Sequence, residues 1–332
     1  MTLLKRLVAP VFVSLALVAC GGGGGSGGSD SGSTNPYDAD AKYTGLRTQA
    51  MLTTTNKSDF IRALYGVEYE SFSLASVDQS TAIQERSFSS LTKDLTALAL
   101  QKTTKPTGYT LAAAVPVSEI TTCPRGGTSQ FTGEIDNQTG LGTVTLKMTN
   151  CVNTIGKANG SMQMIISGYN MAAQEPTAFT LTFQNLKVDY DALSYTAVGT
   201  QSYALSQGIE TTTSNIHRLN HTTNKQSLIK NYKVVSSSAN ATTFKLSGQA
   251  YLQDYGYVNL STLENVTFNT AGIPIAGKAL LSGAGNSKLR ITATSSTMMV
   301  ELDSNGEGNY EETGYITLRE LFGGGDYCVS GC

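Results

Sequence analysis

From about Thr128 to Leu302, apolar residues recur at every second position, and that period leaves few folds open. Thr143 to Thr149 is the clearest stretch: Val144, Leu146 and Met148 alternate with Thr145 and Lys147. Successive side chains of a strand point to opposite faces, so this pattern gives one apolar face and one wet face. Met162, Met164 and Ile166 repeat it, as do Phe179, Leu181 and Phe183, and then Phe244, Leu246 and Leu252. Val258 and Leu260, Leu289 and Ile291, and Met298, Val300 and Leu302 continue it. The pattern slips by one residue at Gln184-Asn185, which marks a β-bulge. Turn signals stand at Asn137-Gln138-Thr139-Gly140, Ala158-Asn159-Gly160, Gly283-Ala284-Gly285-Asn286 and Asn305-Gly306. Runs of about ten residues with short connections pair with their sequence neighbours. The expected fold is mainly β: a large antiparallel meander of roughly 11 to 13 strands, open and curved or barrel-like. Gln207 to Thr242 is polar and lacks a clear period, so longer loops or irregular strands are expected there.

Residues 37–117 have another texture and are expected to form a mostly helical segment packed on the sheet, with the β domain at 118–332. Asn56 suits an N-cap, Asp59 the positive helix end and Gly66 the αL stop, around the apolar residues Phe60 to Tyr65. A second helix is expected between Gln79 and Lys102. There Phe88, Leu91, Leu95 and Leu98 line one face, and Pro106 bars continuation. Packing on the sheet explains that stripe more simply than a partner-binding helix.

The chain has 332 residues with a formal charge of −2, so no basic surplus marks a nucleic-acid footprint. Charged residues make up only 14%, tryptophan is absent and tyrosines number 16, a composition typical of an exported β-rich protein rather than a cytosolic enzyme. Beyond Cys20, the cysteines Cys123, Cys151, Cys328 and Cys332 are even in number, which in an exported chain predicts two disulfides. Sequence proximity favours Cys123–Cys151 and Cys328–Cys332. No C-x-x-C pair supports a metal site instead.

The N-terminus explains why such bonds are expected. Lys5 and Arg6 precede a 13-residue apolar run from Leu7 to Ala19, well short of the about 20 residues that span a bilayer. Leu17-Val18-Ala19-Cys20 closes the run, and Gly21 to Gly25 follow. This arrangement resembles the signal peptide and lipobox of bacterial lipoproteins. The resemblance implies cleavage of residues 1–19, acylation of Cys20 with palmitate-type chains, and a Gly/Ser tether over residues 20–36. With no aspartate after Cys20, it also implies a place in the outer membrane of the cell envelope. Membrane contact is then expected through this lipid.

Signals for chemistry are sparse. His217 and His221 are four apart, but Arg218 stands where a zinc-protease motif needs glutamate. The G-x-S-x-G around Ser26 lies in the tether, where no strand–turn–helix elbow exists. Asp303, Asn305, Glu307, Asn309 and Glu311 place oxygens at alternate positions and resemble the start of a calcium loop. The twelfth position is Gly314, not glutamate, and a plain hairpin accounts for the same residues. Tyr251, Tyr255 and Tyr257, beside Gln249 and Gln253, offer a contact surface for a glycan or protein, or ordinary sheet packing.

The expected function is that of a membrane-anchored exported lipoprotein that binds or scaffolds without catalysis. Its expected partners are an envelope protein, a glycan or a lipid, and no cofactor is expected unless calcium occupies the 303–311 loop. The alternatives are a periplasmic carrier of lipid or another hydrophobic ligand, a hydrolase, and an integral outer-membrane barrel. The barrel would need a continuously apolar outward face.

Overall fold

The computed structural model describes residues 35–64, 114–123, 125–136, 138–152, 157–173, 175–189, 194–237, 240–268, 274–294 and 297–317. Cys20 with its lipobox, the tether, the helix expected between Gln79 and Lys102, and Cys328–Cys332 lie outside the described residues.

Among the described residues, fourteen strands form one antiparallel sheet in strict sequence order, open between its first and last strands. They are β1 (Ala114–Thr122), β2 (Thr128–Asp136), β3 (Gly142–Val152), β4 (Lys157–Asn170), β5 (Glu175–Asp189), β6 (Ser194–Ser206) and β7 (Ile209–Asn220). Then follow β8 (Lys225–Ser237), β9 (Asn240–Leu252), β10 (Gly256–Phe268), β11 (Pro274–Ser282), β12 (Lys288–Ala293), β13 (Thr297–Asp303) and β14 (Glu312–Thr317). The meander is the expected one, with more strands than expected. Gln207 to Thr242 forms β7 and β8, the irregular strands of the two alternatives expected there, with register shifts at Ser214/Ile216 and Lys230/Lys233. β7 carries Thr, Ser and Asn on both faces, so its side chains show no period. Its Thr residues still suit a pleated backbone, and β6 and β8 pair along its length. β1 begins at Ala114, ahead of the expected boundary at 118.

Val144, Leu146 and Met148 are buried while Lys147 is exposed, as the alternation requires. One apolar cluster runs across the sheet from Phe131 on β2 to Leu302 on β13, and we call this side the core face. Outward mid-strand positions hold Thr145, Lys147, Thr180, Thr182, Lys233 and Lys245. A lipid-facing barrel wall would be apolar there, so this face lacks what the integral-barrel alternative needs.

The sheet is bent by a recurring device. Phe183 pairs with Gly199 and Leu186 with Ala197, so Gln184 and Asn185 together oppose Val198. That is the bulge expected from the slip. Ala158-Asn159-Gly160, expected as a hairpin turn, lies instead inside β4, where Gly160 (φ 110°) faces Asn185 across a second irregularity. A Cβ on Gly160 would stand 2.4 Å from the Asn185 carbonyl oxygen, so only glycine fits. The same Gly-to-Asn approach recurs as Gly127/Asn150, Gly199/Asn215, Gly248/Asn231 and Gly277/Asn265. Together the five pairs occupy every second strand pair from β2/β3 to β10/β11. Bulges increase local twist, so this row coils the sheet across its width.

The N-terminal segment passes from one face to the other. Helix α1 (Ala39–Lys42) is capped by the Asp38 side chain and lies on the outward face over β6, β7 and β8. The faces are told apart by Leu228 and Ile229, adjacent on β8 and both buried. Ile229 belongs to the core cluster, whereas Leu228 packs with Ala39, Tyr43 and Tyr251. Residues 48–50 then pair with β10 at Tyr257, in the place β11 has vacated: Tyr257 N–H donates to Thr48 O (3.0 Å) and Ala50 N–H to Tyr257 O (2.7 Å). On the other side Ala284 N–H donates to Ala50 O (2.7 Å) and Leu52 N–H to the buried Ser287 Oγ (2.9 Å). Ala50 and Leu52 therefore reach the core cluster.

A second helix, α2, occupies residues 57–64, up to the end of that described stretch. Phe60, Ile61 and Leu64 form its buried stripe and join the core cluster. Asn56 precedes it as expected, but its side chain turns back: Oδ1 accepts from Thr53 N–H (2.9 Å) and Nδ2 donates to Met51 O (2.9 Å). Residues 35–64 are thus two short helices joined by extended chain.

Candidate functional site

Within the apolar core face, β6, β7 and β8 carry a track of polar side chains. Three cross-strand rows compose it. Leu181, Gln201, Ser214 and Tyr232 form the deepest row. Phe179, Tyr203, Thr212, Val234 and Leu246 form the next. Leu205, Glu210, Ser236 and Phe244 form the last, beside the β6–β7 turn. Alternate residues on a strand share a face, which is why Gln201, Tyr203 and Leu205 point the same way as the core residues Tyr195 and Ala197.

Burial falls along β6 and β7, while Ser236 on β8 stays buried. Gln201 is 6% exposed and Ser214 is 2% exposed, whereas Leu205 and Glu210 are half-buried near the turn. The Gln201 Oε1 atom is buried and has no hydrogen-bond partner. Such an acceptor costs about 1–3 kcal/mol when left unmet. Tyr203 stacks on Phe179, ring centroids 5.0 Å apart, and burial first, then the Glu210 and Glu175 carboxylates, push its hydroxyl up to about 12. Burial likewise lifts the Glu210 carboxyl above its ordinary value, with Glu175 adding to the effect and the Ser236 hydroxyl opposing it. No cation contributes to either shift. Chemically the track offers acceptors inside an apolar wall and an acidic mouth. Such a combination positions a ligand's polar group.

The residues singled out in the sequence fall elsewhere. His217 lies on β7, facing outward: its Nε2–H donates to Gln226 Oε1 (3.2 Å) and its ring meets the edge of Tyr43. Burial pushes its pKa down. His221 instead contacts Thr196 Oγ1 at 2.7 Å, so the two histidines serve separate neighbours. Tyr251 is buried and Tyr257 half-buried beside it. Tyr43 packs on Tyr251, which is 7% exposed. Tyr255 instead meets Phe60, at the edge of the core cluster.

The 303–311 segment is the β13–β14 loop. Asp303 is fully buried, and its Oδ1 accepts from Gly306 N–H (2.8 Å) while Oδ2 accepts from Gly308 N–H (2.9 Å). Asn305 Oδ1 accepts from Glu307 N–H (2.9 Å), Glu311 accepts from Ser304 N–H (3.0 Å), and Asn309 is exposed. Among the described residues no group of three or more His, Cys, Asp or Glu side chains converges as a metal site. Cys123 and Cys151 are joined in a disulfide, as expected.

A separate recess of about 260 Å³ lies between α2 and β13–β14, lined by Lys57, Ser58, Arg62, Val300, Gly314, Tyr315 and Ile316. Lys57 there is ion-paired with Glu312.

The sequence does not announce the track, because Gln207 to Thr242 carries no clear side-chain period. The available signal was Gln201, a polar residue at a core position in the alternation of Tyr195, Ala197 and Tyr203. No family model matches the chain, and no curated protein or solved structure matches it either.

Proposed function

We propose that this chain is an exported, lipid-anchored envelope protein that acts by binding rather than by catalysis. Cys20 is its anchor in this reading. The observation that supports binding is the open sheet itself, with one apolar cluster from β2 to β13 behind a face of Thr and Lys. Substituting Cys20→Ser should move the protein into the soluble fraction. Persistence of that variant in carbonate-washed membranes would rule out the lipid as sole attachment.

A second reading, a carrier of lipid or another hydrophobic ligand, is favoured by the polar track on the core face and its partnerless acceptor at Gln201. Native mass spectrometry of the protein purified from membranes should then show a bound small hydrophobic molecule. A bare protein mass under conditions that preserve known lipid complexes would count against it.

A further inference from the structure

We infer that Gln201 is the head-group acceptor of a site for an uncharged hydrophobic molecule bearing a hydroxyl or amide, and that Glu210 guards its mouth against anions. This deepens the carrier reading and rests on it.

Four features of the track carry the assignment. The Gln201 side chain is more than nine-tenths buried, and its Oε1 atom has no partner. An acceptor of this kind is met by a donor, so the bound group carries O–H or N–H. The surrounding rows are apolar or aromatic: Leu181, Phe179, Tyr232, Val234 and Leu246. Such walls take a hydrocarbon body. Exposure rises from Gln201 to Glu210 along two rows of strand, or about 14 Å at 3.4 Å per residue, which sets the mouth beside the β6–β7 turn. Finally, among the described residues the charged groups that act at that mouth are acidic. Glu210 and Glu175 both act on Tyr203, and Glu175 acts on Glu210, with no basic group contributing. A carboxylate ligand would pass the Glu210 carboxylate and, among the described residues, meet no counter-charge in the rows around Gln201, a cost that a neutral head does not meet.

A cationic head fits less well than a neutral one. An amine would have to be desolvated in a wall where, among the described residues, the rows around Gln201 offer it no anion.

The test compares ligands that share one chain and differ in the head: oleyl alcohol, oleamide, oleylamine and oleate, each titrated into the full-length purified protein at pH 8. Binding is read by native mass spectrometry and by melting temperature. Oleyl alcohol and oleamide should bind about tenfold more tightly than oleate. Gln201→Leu should remove that preference while leaving the free protein at least as stable, because the orphaned acceptor is gone. Glu210→Gln should raise oleate affinity selectively. Equal binding of all four probes by the wild type, or an unaltered preference in Gln201→Leu, overturns the head-group site and leaves a non-selective carrier standing. Binding of none of them overturns the carrier reading as well.

Discussion

The carbonyl oxygen of Thr48 lies 2.0 Å from where a Cβ on Gly256 would stand. Gly256 has φ 93°, a conformation that favours glycine, and its missing side chain is what admits the N-terminal segment beside β10. Across the gap, a Cβ on Gly283 would stand 2.4 Å from Ala50 O. The segment is therefore threaded between β10 and the β11–β12 turn, with no slack for a methyl group. Gly256→Ala should cost about 3 kcal/mol through combined clash and backbone strain. Hydrogen exchange should show faster exchange at the Ala50 and Leu46 amides, which donate to Tyr257 O and Gln253 O. Unchanged exchange at both amides would mean that the segment is held some other way.

A consequence follows for pH. His217 sits under α1, and the groups facing it are Tyr43 and Lys42 from the N-terminal segment and Gln226 from β8. Burial is the main cause of its lowered pKa, and Lys42 acts in the same direction. The unfolded chain then binds the proton more readily than the folded one. Stability from this residue is fully present above the ordinary histidine value of about 6.5 and is lost as pH falls through the lower folded value. Chemical denaturation between pH 7.5 and 5 should show a falling midpoint, and His217→Gln should flatten that part of the curve. A slope of equal size in the variant would assign the effect to other groups.

The disulfide gives a third expectation. Cys123 and Cys151 stand 28 residues apart and tie the β1–β2 turn to β3. In the chain-entropy account a loop of this size stabilises by about 3–4 kcal/mol. Replacing both cysteines by serine should lower the free energy of unfolding by that amount. The fold should survive, since β1, β2 and β3 keep full backbone pairing. A loss under about 1 kcal/mol would mean that the open chain is already constrained in this region.

How much of this was legible depended on whether a signal was local. Val144, Leu146 and Met148 declare their face through period alone, and Gln184-Asn185 declares a bulge through a broken period. Cys123 and Cys151 declare their bond through proximity and compartment. The polar track could not be seen this way. Gln201, Ser214 and Glu210 become neighbours only through cross-strand register, and β7 hides its own period by being polar on both faces. Gly160 shows the converse error. An Asn-Gly pair reads as a turn, yet here glycine is required by the carbonyl of Asn185 on the next strand. The crossing of the N-terminal segment was equally invisible, because Gly256 and Gly283 look like ordinary turn residues until Thr48 and Ala50 are placed against them.

The loop after β13 offers the sharpest contrast between a motif and its geometry. Asp303 heads a run of oxygen-bearing residues, but both of its carboxylate oxygens are already met by the amides of Gly306 and Gly308. Gly306 also presses against the neighbouring β11–β12 turn, where a Cβ would stand 2.1 Å from Gly285 O. The buried carboxylate thus organises two adjacent turns from inside. Asp303→Ala would leave the half-buried Gly306 amide and the exposed Gly308 amide without their acceptor and open a gap where the buried side chain stood, and should cost about 1–3 kcal/mol. Asp303→Asn keeps one acceptor oxygen and should recover about half of that loss. Since the carboxylate is occupied by the chain itself, millimolar calcium should leave the melting temperature of wild type and of both variants unchanged. A calcium-dependent rise in the wild type that Asp303→Ala abolishes would show that the amides release the carboxylate to the ion. It would make the loop a metal site.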